Sequence, residues 1–321
     1  MIRPFIKWAG GKTRVLPDLL PIMPKGDCLI EPFVGGASVF LNTDYRRYVL
    51  ADINADLINL YTQAASYPEK LIEDARWLFK MFNTAHGYED TRRDFNSRSM
   101  DYTIPHAGPN AVKINRAAQF LFLNRHGYNG MCRYNRSGGF NVPFGRYTAP
   151  YFPEDEIRQF AEKAKDTGAI FICADFKETL RVYAESGVVI YCDPPYLPAS
   201  DTANFTQYYT SAFTPDSHKE LADVLSRINR ETGASVVISN SDTTATREIY
   251  QHYKFHEIAV RRSVSASAIT RGAAKEVIGV LKTCDGCGRA GGGCCPDCGP
   301  CMGDATYQEM VASGAFDGEA F

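Results

Sequence analysis

Residues 187–192 (GVVIYC) constrain the fold more than any other stretch of this 321-residue chain. The run is apolar throughout and contains three consecutive β-branched residues, a pattern typical of a strand that is buried on both faces of a parallel sheet. Residues 193–196 (DPPY) follow directly, so they should lie where the strand opens into a loop. Because ligands bind at the carboxyl ends of the strands in open α/β sheets, the sequence predicts a binding site here.

The DPPY segment suits the methylation of an amine on an aromatic ring, whose conjugated lone pair is a poor nucleophile. The Asp193 carboxylate can accept one amine hydrogen bond. The backbone carbonyl of Pro194 can accept the other, because proline fixes φ and so holds that carbonyl. Tyr196 offers a flat face for a flipped base, an interaction worth about 1–3 kcal/mol. An ordinary turn after a core strand is the alternative interpretation.

The rest of the chain alternates between predicted strands and helices. Strands are predicted at residues 28–31, 48–52, 170–174, 187–192, 235–239, 255–260 and 277–282. Helices are predicted at residues 55–66, 69–82 and 113–125, and at 215–230 with Thr214 as the N-cap. We therefore expect an α/β fold with a doubly wound sheet, interrupted by a mainly helical insertion at about residues 56–150.

Residues 31–40 (EPFVGGASVF) join the first strand to a glycine turn and a helix. This unit is typical of the nucleotide-binding half of a doubly wound fold, in which Gly35 would let the backbone approach a ligand. Asp52 ends the second strand 17 residues later, near the distance at which such folds place a carboxylate on a ribose. Nicotinamide and S-adenosylmethionine enzymes share this arrangement, but the nicotinamide fingerprint G-x-G-x-x-G is absent.

The amino-terminal segment FIKWAGGKT invites comparison with a phosphate-binding loop. That motif needs a glycine five positions before Gly11, and Ile6 stands there. We expect instead that Gly10 allows a close backbone approach to a small ligand, that Lys12 pairs with a carboxylate and that Trp8 lines a pocket. An ordinary glycine turn is the alternative.

The net charge of −2 gives no overall signature of nucleic-acid binding, but the charge is unevenly distributed. Residues 102–153 contain six Lys and Arg and neither Asp nor Glu, which predicts an anionic partner. Within this segment, residues 126–147 interleave Asn, Arg and aromatic side chains, the types that recognise base edges. We expect a DNA-contacting hairpin, although a polar surface loop is the alternative. The loops at 197–214 and 261–271 are further candidates for contact with DNA.

The amino terminus lacks an apolar signal region and no run approaches the length of a membrane span. A cytoplasmic protein without a membrane partner is therefore expected. Cys28, Cys132, Cys173 and Cys192 are scattered and should be reduced, whereas six further cysteines crowd into residues 284–301.

Taken together, the segments FIKWAGGK, EPFVGGASVF, LADIN, NRHGYNGMCRYN, FNVPFGRY and DPPY, in this order, resemble DNA adenine-N6 methyltransferases of the bacterial and phage Dam type. The resemblance runs from about residue 4 to about residue 281. It implies methyl transfer from S-adenosylmethionine to adenine in duplex GATC by base flipping, in a protein that we expect to be a monomer. A cytosine-N4 methyltransferase or a catalytically idle DNA-binding relative are the alternatives.

The resemblance also implies a division of the chain and a set of site residues. Residues 1–55 and 151–282 would form a Rossmann-like S-adenosylmethionine-binding catalytic domain, 56–150 the target-recognition insertion and 283–321 a cysteine-rich tail. The implied cofactor contacts are Trp8, Gly10, Lys12, Phe33, Gly35, Asp52 and Asp193, with Asp175 and Phe176 at the adenine ring. The implied catalytic residues are Asp193, Pro194 and Tyr196.

The implied DNA contacts are Lys7, Tyr128, Asn129, Met131, Arg133, Asn135, Asn141, Pro143 and Tyr147. By the family pattern, Arg133 recognises a guanine and Lys7 assists at the outer guanine. Tyr128 would intercalate, and Asn129 would face the orphaned partner base. Met131 stands where the pattern usually has leucine, and either side chain can supply an apolar contact.

The resemblance ends at about Lys282. Beyond it, two Cys-x-x-Cys pairs, Cys284 with Cys287 and Cys295 with Cys298, are typical of a zinc site, because each pair supplies two thiolates on one tight turn. A disordered thiol-rich tail or disulfide bonds are the alternatives.

Overall fold

The computed structural model describes residues 1–97, 110–197, 213–261 and 273–281. In these residues the strands are β1 Cys28–Glu31, β2 Arg47–Asp52, β3 Ile170–Cys173, β4 Val188–Cys192, β5 Ser235–Ser241, β6 Tyr253–Arg261 and β7 Ala273–Leu281. The helices are α1 Leu16–Leu19, α2 Ser38–Asn42, α3 Ala55–Ser66, α4 Pro68–Met81, α5 Ala85–Ser97, α6 Ala111–His126, α7 Glu154–Asp166, α8 Phe176–Tyr183, α9 Pro215–Thr232 and α10 Thr244–Ile249. All seven predicted strands are present.

The strands form a single sheet in the order β3-β2-β1-β4-β5-β7-β6. The first five are parallel, and β7 runs antiparallel to both β5 and β6. The chain moves outward in one direction from β1 to β3 and in the other direction from β4 to β5, so β1 and β4 flank the switch point of the topology. Ile30 of β1 lies opposite Ile190 of β4, which brings the carboxyl ends of these two strands to the same edge.

Alternate residues of β4 belong to two different cores. Val188 and Ile190 lie in the core that includes Leu221 and Leu225 of α9, whereas Val189 and Tyr191 lie in the core shared with α2 and α7. Both faces of the sheet are therefore covered. This explains why the run is apolar without alternation, and it confirms the predicted doubly wound α/β fold.

The start of α9 follows the sequence prediction closely. Thr214 is the N-cap, its hydroxyl accepts a hydrogen bond from the Ser217 amide, and the Ser217 side chain accepts one from the Thr214 amide, so the two form a capping box. Gly233 ends the helix with φ of 73°, in the left-handed region that glycine tolerates.

The helices between β2 and β3 share a core with the sheet. Helix α6 is buried along most of its length and packs against α3 and α4, while Phe95 of α5 stacks on Phe120. The same core includes Phe5 and Leu29, which lies in β1. The division at residues 56 and 150 stays a prediction. Helices α1, α5, α7, α8 and α10 were missing from the predicted elements.

Among the helices of the described residues, none combines the length and the apolarity that a membrane span would need.

Candidate active site and nucleic-acid interface

Asp193 lies at the carboxyl end of β4, next to the switch point. Its Oδ2 atom is 2.7 Å from Nζ of Lys12. Its Oδ1 atom is buried and has no hydrogen-bond partner among the described residues. Burial raises the pKa of Asp193 to about 6, and the Lys12 ammonium opposes this rise. At neutral pH the site thus offers one engaged and one available carboxylate oxygen.

Lys12 is held at the bottom of this site. It begins a short 3₁₀ turn, its side chain is buried, and its ammonium also donates to the Gly10 carbonyl at 2.8 Å. The same ammonium is 4.8 Å from the centre of the Tyr196 ring. The carboxylate that Lys12 pairs with is therefore Asp193, a pairing across 181 positions of sequence that the amino-terminal motif left open.

The Tyr196 hydroxyl donates a hydrogen bond to Oε2 of Glu276, at 2.9 Å. Glu276 lies on β7, opposite Ser241 of β5. Sequence reasoning missed Glu276, because it predicted the last strand to begin one residue later and no motif surrounds this acid. The contact holds the tyrosine ring beside Asp193 and Lys12, so a flat surface and a hydrogen-bond acceptor face the same space.

A second buried carboxyl group lies at this edge. Glu31, the last residue of β1, is 2% exposed and its Oε1 atom has no hydrogen-bond partner among the described residues. Burial is the main reason that its pKa is raised to about 8, and the nearby Asp193 charge adds to the rise. The sequence analysis used Glu31 only as the end of a strand. A buried glutamate within an otherwise apolar strand was the available signal.

Asp52 is held rigidly at the end of β2. Its carboxylate accepts hydrogen bonds from the Gly35 amide at 3.2 Å and from the Asn54 amide at 3.0 Å. Burial raises the pKa of Asp52 to about 6, and these amide bonds oppose the rise. Gly35 has φ of 46°, and a Cβ atom there would lie 2.8 Å from Nε1 of Trp8. Glycine is therefore required both by the backbone conformation and by the indole packed on it.

An aromatic wall continues this side of the site. Phe33 stacks on Phe176 with ring centres 5.8 Å apart, and Phe213 packs edge-on against Phe33 at 5.6 Å. The neighbouring Asp175 is exposed, and its carboxylate caps α8 by accepting from the Glu178 amide. The predicted contact of Phe176 with an adenine ring is compatible with this wall, while one Asp175 oxygen is already used by the helix.

These residues fit S-adenosylmethionine. A carboxylate fixed by two amides suits ribose hydroxyl groups, the phenylalanine wall suits an adenine ring, and the buried carboxyl oxygens of Asp193 and Glu31 that lack partners among the described residues face the same edge. Bound there, the cofactor would supply an activated methyl group next to Asp193.

The predicted DNA-contacting segment is an irregular hairpin, which we call the recognition hairpin and define as residues 127–147. Isolated antiparallel bridges join Gly127 to Phe144 and Tyr134 to Phe140. The Lys7 amide donates a hydrogen bond to the Asn124 side-chain oxygen, and the Lys7 carbonyl accepts one from the Asn124 side-chain nitrogen. The Lys7 side chain lies against the hairpin.

Gly130 and Tyr147 make this contact with Lys7. Gly130 has φ of 62°, and a Cβ atom there would lie 2.3 Å from the side chain of Lys7. The Lys7 ammonium is 4.5 Å from the centre of the Tyr147 ring, whose hydroxyl accepts from the Asn129 amide at 3.0 Å. Burial lowers the pKa of Lys7, and the Arg125 charge adds to this. The structure therefore brings Lys7, Asn129 and Tyr147 together.

The tip of the hairpin exposes the other candidates. Tyr128 is 53% exposed, and Asn129 has a left-handed φ of 53°. Arg133 is exposed and donates from Nε to Oδ1 of Asn141 at 2.8 Å. Pro143 is exposed and contributes its carbonyl to the Tyr128 amide.

Two candidates have structural duties as well. The Asn135 side-chain oxygen accepts from the Ser137 and Gly139 amides and so holds a turn. Met131 packs partly against the main core. These contacts leave less of each side chain for DNA than the sequence alone suggests.

The proposed zinc ligands Cys284, Cys287, Cys295 and Cys298 lie outside the described residues, as do most of the loops at 197–214 and 261–271. Within the described ranges, no group of three or more His, Cys, Asp or Glu is arranged to hold a metal ion.

Comparison with known proteins identifies the family of this chain. Residues 8–264 match the family model of the D12 class N6 adenine-specific DNA methyltransferases. The chain is 47% identical over 281 residues to the DNA adenine methylase of Escherichia coli strain K12, covering 87% of this chain and 95% of that protein. It is 45% identical over 281 residues to the DNA adenine methylase of Serratia marcescens, covering 87% and 98%. The chain therefore belongs to the D12 class of N6 adenine-specific DNA methyltransferases.

Proposed function

We propose that this adenine methyltransferase acts on duplex DNA at GATC sites, as a monomer, and that Asp193, Pro194 and Tyr196 hold the flipped adenine. The family settles the choice between adenine N6 and cytosine N4 in favour of adenine. The observation that carries the residue assignment is the buried Oδ1 atom of Asp193. It lacks a hydrogen-bond partner among the described residues, and the Lys12 ammonium that pairs with Oδ2 of the same carboxylate also lies over the Tyr196 ring.

In this proposal the adenine stacks on Tyr196 and places its N6 amine between two acceptors. Oδ1 of Asp193 accepts one N6 hydrogen and the Pro194 carbonyl accepts the other, which turns the nitrogen lone pair away from the ring. The lone pair is then directed toward the aromatic wall and Asp52, the residues that would hold S-adenosylmethionine, which would supply the methyl group. Aligning the reacting groups supplies most of the rate enhancement, so Asp193 acts first by positioning.

Asp193 then serves as the proton acceptor. After methylation, N6 carries one hydrogen too many, and the Asp193 carboxylate can take it because its pKa of about 6 leaves it ionised at neutral pH. The Lys12 ammonium stabilises that ionised form through its 2.7 Å contact.

Recognition is assigned to the recognition hairpin and Lys7. Arg133 would recognise a guanine, with its guanidinium oriented by Asn141. Tyr128 would enter the base stack, which its exposure permits. Phosphate contacts by the exposed Lys113, Arg136 and Arg146 of residues 102–153 would set a salt-dependent affinity without sequence information. Arg116 and Arg125 of the same segment are not available for this role, because Arg116 pairs with Asp56 and Arg125 is buried.

The test is to express the chain in a host that lacks adenine methylation and to sequence its DNA with a modification-sensitive method. We expect N6-methyladenine confined to GATC, and none when the Asp193→Ala variant is expressed. Methylation at another sequence would refute the GATC assignment. Absence of methylation by the wild-type chain, with DNA binding retained, would instead identify a catalytically idle relative.

For the tail at residues 283–321 we propose a zinc site formed by Cys284, Cys287, Cys295 and Cys298, on the strength of the spacing alone. Protein purified under reducing conditions should carry about one zinc per chain, and a variant with all four cysteines changed to serine should carry none. Metal analysis that finds no zinc in the wild-type protein would refute the site.

A further inference from the structure

The DPPY loop is held from below by a buried histidine that no motif predicted. His218 lies on α9 and is 0% exposed. Its Nε2 atom is 3.0 Å from the carbonyl oxygen of Pro195, and its Nδ1 atom is 2.9 Å from the Tyr250 hydroxyl. One side chain thus connects the loop after β4 with α9 and with the residue that follows α10.

The chemistry of these partners determines the protonation of the ring. A carbonyl oxygen can only accept, so Nε2 of His218 carries the hydrogen and donates to Pro195. Burial lowers the pKa of His218 to about 4, so the ring is neutral at physiological pH. Nδ1 therefore accepts from the Tyr250 hydroxyl, and the two hydrogen bonds fix both the tautomer and the ring orientation.

The bond to Pro195 controls a rotation that proline itself leaves free. Proline fixes φ but not ψ. For Pro194 the following proline restricts ψ as well, but Pro195 precedes Tyr196 and has no such restriction. The plane of the peptide between Pro195 and Tyr196 is therefore set by the hydrogen bond from His218.

Adjacent contacts hold Leu197, two residues further along the chain, in the same way. The Leu197 amide donates to Oδ1 of Asn240 at 3.2 Å, and the Ser241 hydroxyl donates to the Leu197 carbonyl at 2.7 Å. The loop is thus fixed on both sides of Tyr196, at Pro195 from α9 and at Leu197 from the end of β5.

The opposite side of His218 faces the aromatic wall. Its ring packs edge-on against Phe213, with centres 4.7 Å apart. Phe213 in turn contacts Phe33 at 5.6 Å and Phe176 at 6.0 Å. The same side chain therefore touches the loop that receives adenine and the wall that fits the cofactor.

We propose that His218 is a positioning residue for methyl transfer: it fixes the peptide plane between Pro195 and Tyr196, and so the position in which the Tyr196 ring meets the flipped adenine beside the aromatic wall. This inference rests on the proposed roles of Asp193, Pro194 and Tyr196. It assigns His218 no contact with the reacting atoms.

The test compares His218→Leu with His218→Gln in steady-state methylation of a GATC duplex. Leucine removes the donor, and glutamine keeps an N–H near the position of Nε2. Since small misplacements of reacting groups cost about 100-fold in rate, we expect His218→Leu to lower kcat by about 30- to 100-fold. His218→Gln should stay within about fivefold. KM for DNA should change little in either variant, because the His218 side chain is fully buried.

Leu225→Ala is the matched control for a purely structural role. Leu225 is also fully buried on α9, but it packs in the core beneath the sheet. We expect this variant to lower Tm and to leave kcat unchanged at a temperature where it is folded. Wild-type kcat in His218→Leu, or an equal loss of kcat in folded Leu225→Ala, would overturn the proposal.

If His218→Leu does not fold, His218→Asn replaces it. Asparagine carries its N–H near the position of Nδ1, so it should be clearly slower than His218→Gln. Equal rates for the two would refute the role of the Nε2 bond. An active Asp193→Ala enzyme would refute the proposed catalytic assignment instead, so the two failures are distinguishable.

Discussion

The edge of the sheet that carries Asp52, Asp193 and Tyr196, which we call the catalytic edge, differs from the recognition hairpin in how its side chains are held. Both regions are assigned to one reaction. At the catalytic edge, Asp52, Asp193 and Tyr196 each have hydrogen-bond or ion-pair partners within the protein. At the tip of the hairpin, Tyr128 and Arg133 are exposed, and the hydrogen-bond partner of Arg133, Asn141, belongs to the same hairpin. On the proposed roles, the geometry for methyl transfer would exist before substrates bind, whereas the contacts for recognition would be completed by DNA.

The difference follows from what each region must do. Methyl transfer depends on the alignment of a few atoms, and buried groups fixed by hydrogen bonds keep that alignment without further cost at the moment of reaction. Base recognition depends on long side chains that reach into a groove, and these must be accessible.

The two regions meet at the amino terminus of α3. The Asn54 amide donates to Asp52, and the Asn54 side-chain oxygen caps α3. Asp56 accepts from the Tyr134 hydroxyl of the hairpin at 2.8 Å and from Nε of Arg116 at 2.6 Å. The hairpin is therefore anchored to the segment that holds Asp52, the carboxylate proposed to bind the cofactor.

The largest expected effect lies at the catalytic edge. Asp193→Ala removes the available acceptor and should lower kcat by about 1,000-fold, in the range for loss of a positioned proton acceptor, while DNA affinity stays within about threefold. Steady-state methylation and gel-shift titration measure the two. The exposed Asp223 of α9 provides the control, Asp223→Ala, which should match the wild type. Substantial turnover by Asp193→Ala would show that methyl transfer does not depend on the positioned Asp193 carboxylate.

The next effect tests the junction. Asp56→Ala removes the carboxylate that neutralises the largely buried guanidinium of Arg116, and should lower the free energy of unfolding by about 3 kcal/mol. Tyr134→Phe removes one hydrogen bond to the same carboxylate and should cost about 1 kcal/mol. Urea denaturation gives both values. If the two losses are equal, the ion pair with Arg116 adds nothing to the stability of this junction.

A smaller effect is expected at the exposed tip. Arg133→Ala should weaken binding to a GATC duplex by about 1–3 kcal/mol and relax selectivity at one base pair, with little change in kcat at saturating DNA. Arg136→Ala, in the adjacent exposed turn, should weaken binding to all sequences alike. It should also reduce the slope of log binding constant against log salt concentration by about one unit. Equal loss on cognate and unrelated DNA for Arg133→Ala would assign it to phosphate contact.

The smallest effect concerns pH. Protonation of Asp193 below its pKa of about 6 should lower kcat by up to about tenfold per pH unit, because the protonated carboxyl cannot accept the N6 proton. Lys12→Met removes a charge that lowers the pKa of Asp193. The fall in kcat on the acid side of the pH–rate profile, its acid limb, should therefore move about one unit to higher pH. An unshifted limb would mean that another group controls it.

Loss of folding does not explain this limb. The pKa of Asp193 in the folded protein lies above its ordinary value of 3.8, so this group contributes stability at low pH and loses it as the pH rises through about 6. Circular dichroism at pH 5.5 should therefore show a folded enzyme with a reduced rate.

Much of the fold was predictable because positions that are buried in a strand must carry apolar residues, and such runs are visible in the sequence. A strand covered on both faces must be apolar at every position, so β1, β2 and β4 were found from their sequences within a residue or two. Helix α5 left no such record. It buries only Gly87, Tyr88, Thr91 and Phe95 among thirteen mainly polar residues, so neither its length nor its helical state was evident.

The sequence alone determined the class of fold, the chemistry proposed for the DPPY segment and the kinds of side chain that the recognition hairpin exposes. Each of these depends on local pattern and residue identity. The tertiary structure decided which groups meet. Glu276 reaches Tyr196, and His218 reaches Pro195, across 80 and 23 positions of sequence. Such pairs have no periodicity and no motif: they arise only when the sheet brings β4, β5 and β7 together and α9 closes over one face. The identities of the reacting residues are therefore a property of the sequence, and their orientation is a property of the fold.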